Sequence, residues 1–230
     1  MFITLQTPTP DLTASLEFYQ QLQFTVLSAA DPCLVTDGQV IIEINPDRYA
    51  RAGIKMYQKS WDKYLIGLQK LGAVNHQPEG GHLVAAPSGV WVYLEEENDS
   101  LFFQRQVNAP SLLGKSAGLS LESTDISKSV QFWEMLDFSH QAGKIENGWI
   151  TYSRGDQLQI SWMKPFSCPH LFFNPSLSYF NGKENLQIIQ KIRQLDLPIT
   201  EEIIHFNPEG KVDNIIIRDP GGFGFFIFND

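Results

Sequence analysis

Few side chains in this sequence could do chemistry, and the ones that could fall in expected strands. Glu43 is a carboxylate inside an apolar run, Val40-Ile41-Ile42-Glu43-Ile44. Two-residue alternation puts it on the face opposite Ile42 and Ile44. On a pocket face it is desolvated and suited to acid–base work. On a wet face it is an ordinary polar strand residue. Ser120 and Glu122 share one strand face, and so do His170 and Phe172. A Glu122–His170 pair could orient a polar group on a ligand. His170, next to Pro169, also reads as a hydrogen-bonded structural residue. Trp91 and Tyr93 share a face, as do Phe226 and Phe228. Such rings suit a planar ligand, or they fill the interior. His76, His82, His140 and His205 form no HxH or HExxH spacing, and no GxGxxG, Walker-type or GxSxG pattern occurs.

The elements that must position these residues are written twice. DLTASLEFYQQLQF, from Asp11 to Phe24, returns as DISKSVQFWEMLDF, from Asp125 to Phe138, at an offset of 114 residues. Asp, Ser, Phe, Leu and Phe are identical at matching positions, and Leu12/Ile126, Leu16/Val130 and Tyr19/Trp133 are swaps within one class. Each copy predicts an amphipathic helix with an Asp N-cap. Strands are expected at Phe2 to Thr7, Thr25 to Leu27, Cys33 to Thr36, Gln39 to Ile44, Ile54 to Tyr57, His82 to Ala86 and Val90 to Glu95. A second helix is expected from Trp61 to Leu71, stopped by Gly72. The later half repeats this order, with strands at Leu119 to Glu122, Trp149 to Ser153, Gln157 to Trp162, His170 to Asn174, Val212 to Arg218 and Phe223 to Phe228. Its last helix is expected from about Glu184 to Leu195. The turns APSG (from Ala86) and DPGG (from Asp219) also match, now at an offset of 133 residues, so the later half has longer loops.

Bulk properties narrow the function classes. Hydrophobic residues make up 43% and charged residues 19% of 230, a globular composition. The net charge of −9 opposes a nucleic-acid or anionic-lipid partner, which needs a basic face. No apolar run reaches membrane-spanning length, and MFITLQTPTP does not resemble a signal peptide, so a cytoplasmic location is expected. Cys33 and Cys168 make neither a CxxC site nor a disulfide framework.

DLTASLEFY and DISKSVQFW after a first strand, with DPGG before a closing apolar strand, resemble the vicinal oxygen chelate superfamily. Its members include glyoxalase, bleomycin-resistance proteins and extradiol dioxygenases. The resemblance covers nearly the whole chain. It implies an α+β fold of four βαβββ-type units, paired into two half-open barrels of mostly antiparallel strands. It implies one divalent metal per pocket, held by first-strand His or Gln and last-strand Glu or His. Carried over, those positions fall on Thr4, Glu43, Gly53 or Ile54, and Tyr93 in the first barrel. In the second they fall on Gly118, Gln159 or Ser161, His170 and Phe226. Only Glu43 and His170 match the ligand types. One such residue per pocket is too few, since three protein ligands are the usual minimum.

Three readings follow. The first is a metal-free binding protein with no cofactor, taking an apolar or aromatic small molecule through Glu43, Tyr93, Ser120, Glu122, His170, Phe172 and Phe226. The second is a metal-dependent glyoxalase- or dioxygenase-like enzyme with atypical ligands. The third is an interaction protein with filled barrels. Domains are expected at 1–107 and 116–230 with a linker at 108–115, and a monomer or weak homodimer is expected.

Overall fold

The computed structural model describes residues 1–71, 74–76, 81–96 and 110–229. Residue 72, expected as a helix stop, residues 78–80, expected as part of a turn, and residues 108–109 of the expected linker lie outside the described residues, as do residues 97–107 and the side chain of His76. The first module runs β1 (Phe2–Pro8), α1 (Leu12–Gln21), β2 (Thr25–Ser28), β3 (Cys33–Thr36), β4 (Ile41–Asn45), β5 (Gly53–Gln58), α2 (Asp62–Leu71), β6 (Val74–His76), β7 (His82–Ala85) and β8 (Trp91–Glu96). The second runs β9 (Ser116–Glu122), α3 (Ile126–Met135), β10 (Ser139–Lys144), β11 (Trp149–Arg154), β12 (Leu158–Met163), β13 (Ser176–Phe180), α4 (Asn185–Gln194), β14 (Ile199–Ile203), β15 (Asn214–Arg218) and β16 (Gly224–Phe228). The strand order is β2-β3-β4-β1-β5-β8-β7-β6 in one sheet and β10-β11-β12-β9-β13-β16-β15-β14 in the other. Each βαβββ unit closes its first strand on its last in parallel, and the two units of a module meet through antiparallel β1–β5 or β9–β13. The expected α+β architecture of two half-open, mostly antiparallel sheets is therefore present.

The repeated helices start as the sequence dictates. Asp11 accepts from the amide of Ala14 at 3.0 Å, and Asp125 accepts from that of Lys128 at 2.9 Å. Such a cap contributes about 1 kcal/mol. A second bond ties each helix to its incoming strand: Thr9 to Ser15 at 2.7 Å and Ser123 to Ser129 at 2.8 Å.

Alternation then sorts the strands. Ile3, Leu5, Ile42, Ile44, Ile54 and Met56 join a core that runs without a break into Leu119, Leu121, Trp162, Leu177 and Phe225 of the second module. Phe225 packs its ring on Phe18, Tyr19 and Phe24 of the first module, at 6.0, 6.1 and 6.5 Å. Residues 110–115 are no loose connection: Leu112 donates its amide to Leu22 at 2.8 Å, and Leu113 is fully buried. The other face of each sheet is left for a site. It carries Thr4, Gln6, Glu43, Lys55 and Tyr93 in the first module, and Ser120, Ser161, Ser178 and Phe226 in the second.

One strand moves. The strand expected at 170–174 begins instead at Ser176, so His170 lies in the segment between β12 and β13. Pro169 and Pro175 bracket that segment. Neither can donate to a ladder, and pairing with β9 and β16 starts only after the second one.

Candidate functional site

In the first module, strand register decides what the carboxylate does. Parallel pairing sets Glu43 beside Gln6, and antiparallel pairing sets Lys55 beside Thr4. Lys55, not Gly53 or Ile54, therefore holds the expected ligand position, and it pairs with Tyr93 on β8. Its ammonium lies 2.5 Å from one Glu43 oxygen, and the Tyr57 hydroxyl donates to the other at 3.2 Å. Burial, then the Glu43 charge, pushes the Tyr57 hydroxyl above its ordinary range, so it stays a donor. The Lys55 ammonium also lies 5.9 Å from the centre of the Tyr93 ring. Glu43 does face inward, but as one half of a buried ion pair (side chains 7% and 14% exposed) and not as an unpaired acid.

The second module has a cavity of about 170 Å³ at the corresponding place. Ser120, His170, Phe172 and Phe226 line it together with Ser178, Phe180, Phe206 and Phe228. The His170 ring meets Phe226 and Phe228 edge-on at 5.4 and 5.2 Å, and Phe226 stacks on Phe228 at 5.6 Å with an interplanar angle of 3°. Such contacts hold the walls in place. His170 Nδ1 lies 2.7 Å from the Leu171 carbonyl, an acceptor, so Nδ1 carries the proton. The Ser120 and Ser178 hydroxyls bond each other at 2.7 Å on the buried floor.

Glu122 is not in this group. Its carboxylate accepts from the Phe166 amide at 2.9 Å, so the expected Glu122–His170 pair does not form. The reason is His170's place in a loop: a partner on the β9 face would need His170 on the neighbouring strand. Gln159 reaches the Ala117 carbonyl at an exposed end of the sheet. Of the sequence-derived residues, Ser120, His170, Phe172 and Phe226 meet around one cavity, Glu43 and Tyr93 meet around Lys55, and Glu122 meets neither group.

Asp37, and Asp219 of the DPGG turn, join the modules. Asp219 accepts from Thr7 at 2.7 Å, from Tyr19 at 2.9 Å and from the Phe223 amide at 2.8 Å. Reciprocally, Tyr179 of the second module donates to Asp37 of the first at 2.6 Å. Both tyrosines are fully buried. Burial pushes the Asp219 carboxyl up from the usual carboxylate range, against the pull of its hydrogen bonds. The DPGG turn so held connects β15 to β16, the strand that carries Phe226 and Phe228. A larger open groove of about 560 Å³ lies beside it. Its cation, Arg218, is already engaged with the Gly222 carbonyl and the Phe173 ring.

No family model matches the sequence, and no curated protein matches it. Solved structures do match along its whole length. The 2,3-dioxygenase LapB from Pseudomonas sp. KL28 aligns over 97% of this chain and 89% of its own, at 16% identity and a TM-score of 0.57. BphC, a halotolerant catechol dioxygenase, aligns over 97% and 84%, at 14% identity and a TM-score of 0.55. The 2,2',3-trihydroxybiphenyl 1,2-dioxygenase from Sphingomonas wittichii strain RW1 aligns over 100% and 91%, at 14% identity and a TM-score of 0.55. The chain has the vicinal oxygen chelate fold. Identities this low carry the fold and no further.

For a chain with this fold, the expectation of no cofactor is overturned by this likeness. The three structures named are dioxygenases, and this likeness points to a metal. The side chains of this chain do not fit one. By strand register, the facing positions hold Thr4, Gln6, Glu43, Lys55 and Tyr93 in the first module, with Lys55 in place of the expected Gly53 or Ile54. In the second they hold Gly118, Ser120, Ser161, Ser178 and Phe226, with Ser178 in place of the expected His170. An ammonium, neutral hydroxyls and a phenyl ring cannot replace imidazoles and carboxylates. Among the described residues, no three His, Cys, Asp or Glu side chains group closely enough to hold an ion. Nor, among them, is any helix long and apolar enough to cross a membrane.

Proposed function

We propose that this protein binds an apolar or aromatic small molecule in the cavity of its second module. The observation that carries the reading is a cavity of about 170 Å³ walled by His170, Phe172, Phe206, Phe226 and Phe228. A volume near 150 Å³ suffices for one benzene ring. The lining includes no Lys, Arg, Asp or Glu, which favours an uncharged occupant. The corresponding face of the first module is closed, because Glu43, Lys55 and Tyr57 are bonded to one another across it. The core that both modules share within one chain supports a monomer or weak dimer.

A thermal-shift and calorimetric screen of neutral monocyclic aromatics tests the reading. A ligand present at a hundred times its Kd stabilises the fold by about 2.7 kcal/mol. Ser178→Phe fills the cavity floor and should remove binding while the protein stays folded. If no aromatic stabilises the wild type, or the filled variant binds equally well, the reading is wrong.

The dioxygenases that share the fold favour a second reading, an oxygenase acting on a catechol-type ring. Incubation with ferrous or manganous ion, followed by metal analysis and a ring-cleavage assay, separates the two. That reading needs one tightly held ion per chain together with turnover.

A further inference from the structure

Resting on the cavity reading, hydrogen-bond capacity narrows the class of ligand. The Ser120–Ser178 pair uses one hydroxyl hydrogen internally and leaves one to offer. His170 donates through Nδ1 to the Leu171 carbonyl, so in the neutral ring Nε2 is the acceptor, and Nε2 has no hydrogen-bond partner among the described residues. Asn214, also in the lining, already accepts from the Asn229 amide and donates to Asp213. Cys168 is turned to the Met163 sulfur at 3.4 Å. The cavity therefore offers a hydroxyl donor and an imidazole acceptor among rings, beside the second Nδ2 hydrogen of Asn214.

Depth orders these groups. Ser120 and Ser178 are 7% and 3% exposed, whereas Phe180 and Phe206 are 42% and 53% exposed. Leu171, next to His170, is 52% exposed. A polar floor thus sits under apolar walls that continue outward as an uncovered apolar rim. A ligand hydroxyl can accept from the serine pair and donate to Nε2, whereas an ether oxygen can only accept. A carboxylate finds no cation in the lining. The volume holds a single ring, so any longer apolar part must leave across the rim.

We infer that the ligand is an uncharged ring compound with one hydroxyl end directed at Ser120, Ser178 and His170, and an apolar substituent that leaves over Phe180 and Phe206.

Four probes test this by calorimetry on the full chain: 4-propylphenol, 4-propylanisole, phenol and 4-propylbenzoate. The expected result is that 4-propylphenol binds at least tenfold tighter than either the ether or unsubstituted phenol, with no binding of the benzoate. His170→Phe keeps a ring in the wall and removes the acceptor, so it should narrow the gap between phenol and ether. Equal binding of phenol and ether to the wild type, or preference for the benzoate, overturns the inference and leaves the cavity reading standing. Failure of every probe to bind overturns both.

Discussion

Replacing Lys55 with methionine should unmask the charge that closes the first module. The ammonium lies 2.5 Å from the Glu43 carboxylate, and the side chains are 14% and 7% exposed, so solvent and salt screen the pair little. At an effective dielectric constant of about 20, the gross attraction is about 7 kcal/mol. Desolvation of both ions takes back most of it, so the pair as a whole stabilises the fold only weakly. Removing Lys55 alone is another matter. Glu43 would stay buried with one partner, the Tyr57 hydroxyl at 3.2 Å. The expected cost is about 3–5 kcal/mol. Removing both charges, as Lys55→Met with Glu43→Leu, should return stability to within about 1 kcal/mol of the wild type, because no orphan charge remains. Urea unfolding followed by tryptophan fluorescence and far-UV circular dichroism measures all four proteins of the cycle. The coupling should be at least about 2 kcal/mol. A single-variant cost under about 1 kcal/mol, with additive effects in the double variant, would mean that the pair is open to water and that this face is not closed.

The contacts between modules give three more outcomes. Tyr19→Phe and Tyr179→Phe each remove a buried hydrogen bond to a carboxylate, so each should cost about 1.5–3 kcal/mol in urea unfolding. Asp219 has a pKa raised in the fold, so the native state holds this proton more tightly than the unfolded chain does. Its contribution to stability is full below the unfolded pKa near 3.9 and declines as pH rises through the folded value. The advantage of the wild type over Asp219→Asn should therefore shrink as pH rises above about 4; an advantage that grows with pH refutes the assignment. Gly221→Ala would bring a Cβ to 1.7 Å from the Pro8 carbonyl oxygen. It should cost at least the upper end of the ~1–3 kcal/mol overpacking range, read as a lower urea midpoint.

Much of this protein is legible without coordinates, because caps and alternation are short-range. Asp11 and Asp125 start their helices where the repeat places them. Cys33–Thr36 is a strand with the expected bounds, and Glu43 lies opposite the core residues Ile42 and Ile44, as alternation requires. Ser120 and Phe226 reach the cavity for the same reason. β10, Ser139–Lys144, gives no such signal: it is an edge strand, largely exposed, with no apolar face to alternate. Partners were decided elsewhere. That Lys55, and not Gly53, answers Glu43 depends on register between β1 and β5, which only pairing sets. That His170 reaches the cavity from a loop, and that Glu122 is taken up by the Phe166 amide, depends on where β13 begins to pair. Asp219 looks like any turn aspartate until Thr7 and Tyr19, about two hundred residues earlier, close on it. The sequence by itself determined two copies of a βαβββ pair and, in the strands that form where expected, which residues share a face, since those rest on neighbours a few positions away. Only the tertiary structure decided which charges and rings meet, since hydrogen bonds and ion pairs act over a few ångströms whatever the distance along the chain.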